Sequence, residues 1–115
     1  MKKKIFFLLL SFSFVLCAHP PKSIDLSYDD AKATLAVKVW HNVGDSESHR
    51  ISKITVFLGD QQIAEKLYPN KQQTPEYQEE TFVFSDKPLK KGDVVKVRAN
   101  CSRFGRKTVE LKWPE

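Results

Sequence analysis

Two of the three histidines, His41 and His49, bracket the polar segment HNVGDSESH, and Cys101 closes the segment VVKVRANC. Imidazole nitrogens together with a thiolate suit a borderline or soft transition metal such as iron, copper or zinc, and not calcium or magnesium, which want oxygen donors. The third histidine, His19, stands in AHPP. The loop alone does not separate a metal clamp from an ordinary hairpin turn, because Asn42, Gly44, Asp45 and Ser46 are what any loop uses. Taken singly, each donor also has a plain reading: His41 and His49 as loop histidines, His19 as the residue that follows a cleavage site, Cys101 as a small core residue. What decides between these readings is whether the surrounding elements bring the donors together.

The chain opens MKKKIFFLLLSFSFVLCAHPP, three lysines followed by an apolar run and then small Ala18. That is the pattern of a secretory signal, too short for a stable membrane span. Cleavage after Ala18 gives a signal over residues 1–18 and one domain over residues 19–115, exported to the periplasm, with His19 as its first residue. An alternative fate is lipidation at Cys17, with a lipid anchor in place of simple release; Leu16 argues against it, since a small residue is expected before a lipidated cysteine.

Residues 1–18 hold three lysines and no acid, so the remainder carries 16 basic and 14 acidic side chains, a net charge of +2. The basic character of the whole chain therefore belongs mostly to the signal, which removes the main argument for a nucleic-acid partner. With Cys17 cleaved or lipidated, Cys101 is the one thiol left and no internal disulfide can form. A lone cysteine in an oxidising compartment implies burial or metal ligation.

The elements that must position these donors read as strands. In TLAVKVWH, Leu35, Val37, Val39 and His41 share one face and Ala36, Lys38 and Trp40 the other. ISKITVFLGD puts Ile54, Val56 and Leu58 on one face before a Gly59-Asp60 turn, and QQIAEKLY returns as its hairpin partner. EETFVFS and DVVKVRANCS flank a turn built on Pro88, Gly92 and Asp93; KTVELKW follows Gly105, and SIDLSYD lies near the start. No helical period runs long enough for a helix. The expectation is an all-β domain, a β-sandwich of about seven short strands.

Within VVKVRANC the alternation sets Val95, Val97, Ala99 and Cys101 opposite Val94, Lys96, Arg98 and Asn100, so Cys101 is expected to point inward at its strand end. His41 holds the equivalent place on its own strand. Two donors at the inner rims of two strands can meet at one end of a sandwich. No Gly-rich phosphate loop, nucleophile elbow or CxxC pair competes with them. Phe104 and Trp113 read as core aromatics, and Arg50, Arg103, Arg106 and Lys107 as a basic rim able to draw in an anion.

The order HPP, a strand ending in WH, a short acidic loop to SHRI, then KITVFLGD, ETFVF, KKGD and a late CSRFG resembles the superoxide reductase (desulfoferrodoxin, neelaredoxin) iron domain over essentially all of residues 19–115. The resemblance implies an immunoglobulin-like β-sandwich and a mononuclear non-haem iron with four equatorial histidines and one axial cysteine. His19 corresponds to the histidine of the family's H-x-P segment. His41 and His49 correspond to the pair flanking its HPM…HYI-like loop, although no proline follows His41, and Cys101 to the cysteine of its CNxHG-like segment. Phe104 stands where the fourth histidine would, and Ala18 where the family's catalytic lysine precedes the first histidine.

The implied chemistry is reduction of superoxide to hydrogen peroxide, one electron and two protons per superoxide, at a ferrous iron whose trans thiolate pushes electron density toward the metal. An electron donor is implied as a partner, since the chain carries no second redox centre. Copper is the alternative metal: His19 at a new amino terminus can chelate through its amine and ring together, giving an exported copper-binding sandwich without reductase activity.

Overall fold

The computed structural model describes residues 20–114. The expected signal over residues 1–18 and the candidate donor His19 lie outside the described residues. The described residues form seven strands: β1 (Ser23–Asp29), β2 (Thr34–Trp40), β3 (Ile51–Leu58), β4 (Gln61–Leu67), β5 (Tyr77–Val83), β6 (Val94–Cys101) and β7 (Arg106–Lys112). There is no helix among the described residues. The strands form two antiparallel sheets, β1-β2-β5 and β4-β3-β6-β7, with the chain changing sheets after β2, β4 and β5. The protein is an all-β, immunoglobulin-like β-sandwich.

Period-two alternation builds the core. Leu35, Val37 and Val39 of β2 lie buried with Ile54 and Val56 of β3 and Val95, Val97 and Ala99 of β6. These are mostly β-branched residues on the central strands of both sheets, where a stiff χ1 packs well on a pleated surface. The edge strand β4 is exposed along most of its length, and Lys53 on β3 pairs with Glu65 on β4 at 3.9 Å.

The two ends of the sandwich differ in chemistry. At one end Tyr28 meets Trp113 edge-on with ring centroids 4.9 Å apart and Phe84 at 5.9 Å, while its hydroxyl accepts the Leu89 N–H at 3.1 Å. Trp113 packs against the core as the sequence led one to expect. At the opposite end β2, β4 and β6 finish and β1, β3, β5 and β7 begin, and His41, His49 and Cys101 lie there.

One irregularity bears on that end. Ile51 pairs with Cys101 and Lys53 with Asn100, so Ser52 is an extra residue in β3. Strict alternation from Ile54 would turn Ile51 outward; the bulge reverses its parity, and Ile51 and Ile54, three residues apart, are both buried. The segment that carries His49 thus enters β3 with its side chains re-aimed toward the interior.

Truncation of Ile54 to Ala is expected to cost about 2–5 kcal/mol in urea unfolding, through lost burial and a residual cavity. Leu67→Ala on the exposed edge should change stability by less than about 0.5 kcal/mol.

Candidate metal centre

His41 is the first residue beyond β2, and its N–H donates to Glu76 O at 2.9 Å, continuing the ladder toward β5. The loop that follows is held by its own polar groups. Asp45 Oδ1 accepts the Glu47 N–H at 3.0 Å, Asp45 O accepts the His49 N–H at 2.9 Å, and the Val43 N–H reaches Pro75 O at 2.8 Å. The hydrogen bond from Glu47, with further ones from Ser48 and the charge of Arg103, holds the Asp45 carboxyl below its ordinary pKa.

Cys101 ends β6. Its N–H donates to Gly105 O at 2.7 Å, and the Arg103 N–H points at its sulfur at 3.3 Å. Ser102 ties this turn to the histidine loop: its N–H donates to Arg50 O at 2.8 Å, its hydroxyl accepts the Arg50 N–H at 3.0 Å and approaches Ser48 O at 3.4 Å. Each donor is therefore anchored by backbone hydrogen bonds, although two of the three lie at or in loops.

The result is a compact cluster. His49 Nε2 lies 3.1 Å from Cys101 Sγ, and the His41 and His49 rings meet edge-to-face with centroids 4.7 Å apart. One donor atom from each of His41, His49 and Cys101 falls within 4.8 Å of the others. Their exposures are 2 %, 9 % and 5 %, so all three donors are removed from solvent. Ligands of a tetrahedral ion with bonds of about 2.0–2.3 Å stand roughly 3.3–3.6 Å apart. The closest pair is already near that spacing, and the widest gap closes with a movement of about 1 Å.

Two features fit the cluster to a transition metal. His41 Nε2 is buried without a hydrogen-bond partner; leaving such a group unsatisfied costs about 1–3 kcal/mol, which a cation at the lone pair would remove. The donor set is two imidazoles and a thiol with no carboxylate, which is soft to borderline and unsuited to calcium or magnesium. A buried His/His/Cys group able to hold a metal ion is thus present.

Phe104 departs from its reading as a core aromatic. It is 92 % exposed and has a φ of +75°, in the tight turn between Cys101 and Gly105. Its N–H donates to Cys101 O at 3.2 Å. Phe104 takes the left-handed conformation of that turn and its side chain lies in solvent, outside the core. Arg50 also differs from its expected place on a free basic rim. Its Nε donates to Tyr68 O at 2.8 Å and Nη1 to Glu47 O at 2.9 Å, so it braces the loop. Tyr68 in turn donates its hydroxyl to Glu80 Oε1 at 2.7 Å across the two sheets; burial first, and Glu80 second, push its pKa up, so it stays a donor.

The alternation of β2 and β6 marks His41 and Cys101, whereas no sequence pattern marks Gln72. It lies in the polar segment NKQQTP between β4 and β5, which carries no pattern, yet it is 1 % exposed and its Oε1 stands 2.9 Å from His41 Nδ1. Compared with protein-family models, with curated proteins and with solved structures, the chain matches none.

Phe104→Gly should leave stability unchanged or raise it by up to about 1 kcal/mol, because relief of the left-handed strain offsets the chain entropy of glycine. A thermal melt showing the loss of about 3–5 kcal/mol typical of a truncated core aromatic would contradict this placement.

Proposed function

We propose that the protein binds one thiolate-ligated transition-metal ion at this end of the sandwich, that the ion is iron, and that it supports superoxide reductase-like chemistry. The observation that carries the reading is the convergence of His41, His49 and Cys101, three of the four donors named by the resemblance, into one buried cluster. Bound there, iron would supply a one-electron couple and an open position for superoxide.

In this reading Cys101 provides the anionic, electron-donating ligand. The Arg103 N–H on its sulfur stabilises the thiolate and moderates that donation. His41 and His49 provide neutral nitrogens. His19 is proposed as a further imidazole: the Lys22 N–H donates to Trp40 O at 2.7 Å, one residue from His41, and the three residues back to His19 span at most about 10–11 Å. Phe104 adds no donor, so the centre has fewer imidazoles than the family it resembles. Of the remaining basic side chains near the Cys101 turn, Arg103 and Arg106 are exposed and Lys107 half-buried, and they would attract an anion. Reduction would need an electron donor of another chain. Export through residues 1–18 to the periplasm, with a lipid anchor at Cys17 as the variant, belongs to the same proposal.

Copper is the second reading, favoured by the count of donors. Two imidazoles and one thiolate, with Phe104 in solvent, are a soft-to-borderline set that would suit copper.

The test is the metal content and visible spectrum of protein beginning at His19, isolated without added metal and then oxidised. About one iron per chain, a thiolate-to-iron band lost in Cys101→Ala, and faster superoxide decay with peroxide formed are the expected results. Iron with unchanged superoxide decay removes the reductase chemistry, copper in its place selects the second reading, and a protein that takes up neither metal ends the proposal.

A further inference from the structure

The polar contacts of Gln72 determine more than its own position. Its Nε2 donates to His41 O and to Thr74 O, both at 2.8 Å, and its Oε1 accepts the Ile51 N–H at 3.0 Å. These partners are backbone groups of fixed polarity: a carbonyl only accepts and an amide N–H only donates. The orientation of the side-chain amide therefore follows without ambiguity, and the atom 2.9 Å from His41 Nδ1 is the oxygen, an acceptor. A neutral imidazole has one N–H, and here Nδ1 must carry it. Nε2 is then a bare lone pair, and it is the buried atom without a partner.

We infer that Gln72 is a positioning residue that locks His41 in its Nδ1-protonated tautomer and so holds Nε2 as a preformed metal donor in the metal-free protein. The metal-binding part rests on the function proposed above; the tautomer does not. The fold gives the residue the rigidity the task requires. All four hydrogen-bonding positions of the amide are used, it is fully buried, and its own N–H donates to Ser46 O at 3.1 Å, within the histidine loop. Gln72 thus joins the β4–β5 connection, the end of β2 and the start of β3, and turns the ring of His41 to one orientation. Second-layer groups of this kind change metal affinity about 10–100-fold when removed.

The experiment compares the wild type with Gln72→Met and Gln72→Glu. Met removes both the donors and the acceptor. Glu removes the donors to His41 O and Thr74 O but keeps an oxygen facing His41 Nδ1, so it separates a purely structural role from the one inferred. Long-range 1H–15N NMR of the metal-free protein at pH 8.5 reads the His41 tautomer directly, and cobalt(II) titration, followed by the thiolate-to-cobalt band, reads the affinity. The wild type and Gln72→Glu should show a single Nδ1–H tautomer and cobalt affinities within about threefold of each other. Gln72→Met should show mixed tautomers and bind cobalt about 10–100-fold more weakly, with the thiolate band still present.

An Nε2–H tautomer in the wild type overturns the inference, as does a Gln72→Met protein that keeps both tautomer and affinity. If Gln72→Met does not fold, Gln72→Glu decides: loss of the Nδ1–H tautomer there means that the amide donors alone matter, and the inference fails. A wild type with the Nδ1–H tautomer that binds no cobalt supports the hydrogen-bond assignment and overturns the metal site.

Discussion

Two imidazoles and a thiol lie buried where a β-sandwich would ordinarily finish in solvent, and that burial is the constraint the rest of this end of the molecule answers. Polar groups taken out of water without partners cost free energy that apolar packing does not return. Around the donors, Gln72, Ser102, Arg50 and Asp45 each hydrogen-bond to backbone groups of loops that have no ladder of their own. The one acceptor these contacts leave unsatisfied within the donor cluster is His41 Nε2. These contacts leave one lone pair among three buried nitrogen and sulfur donors, a group able to hold a metal ion.

The sheets supply the rigidity on which that network stands. His41 and Cys101 continue β2 and β6, the strands that carry Leu35, Val37 and Val39 and Val95, Val97 and Ala99 into the core. Both donors therefore sit directly at the ends of strands whose inward side chains are fully or almost fully buried. The bulge at Ser52 adjusts the third element, turning Ile51 inward beside Cys101 and bringing its N–H to Gln72. The opposite end, closed by Tyr28, Phe84 and Trp113, is sealed by ring contacts, with the Tyr28 hydroxyl accepting the Leu89 N–H.

Much of this was legible in the residues. Alternation alone marks β2, β3 and β6 and predicts that His41 and Cys101 face inward, because a period of two leaves one choice once the apolar face is known. The bulge was not legible, since an inserted residue changes parity without changing composition. Gln72 was hidden for a related reason: its role depends on loops meeting in space, and a glutamine in a polar segment gives no local sign of burial. Phe104 differs from the core placement an aromatic suggests, because it occupies the left-handed position of the turn after Cys101 and its side chain lies in solvent. His49 stands between these cases. Its residue type marked it as a donor, but only the folded loop brings it to 3.1 Å from the sulfur.

The most direct test of the account is the K-edge X-ray absorption of the zinc-loaded protein, zinc serving as a redox-silent probe of the donors. The account predicts one sulfur at about 2.3 Å and at least two imidazole nitrogens at about 2.0–2.1 Å, with the sulfur shell absent in Cys101→Ser. A first shell of nitrogen and oxygen alone in the wild type would mean that Cys101 is not a ligand, and would contradict the site as described.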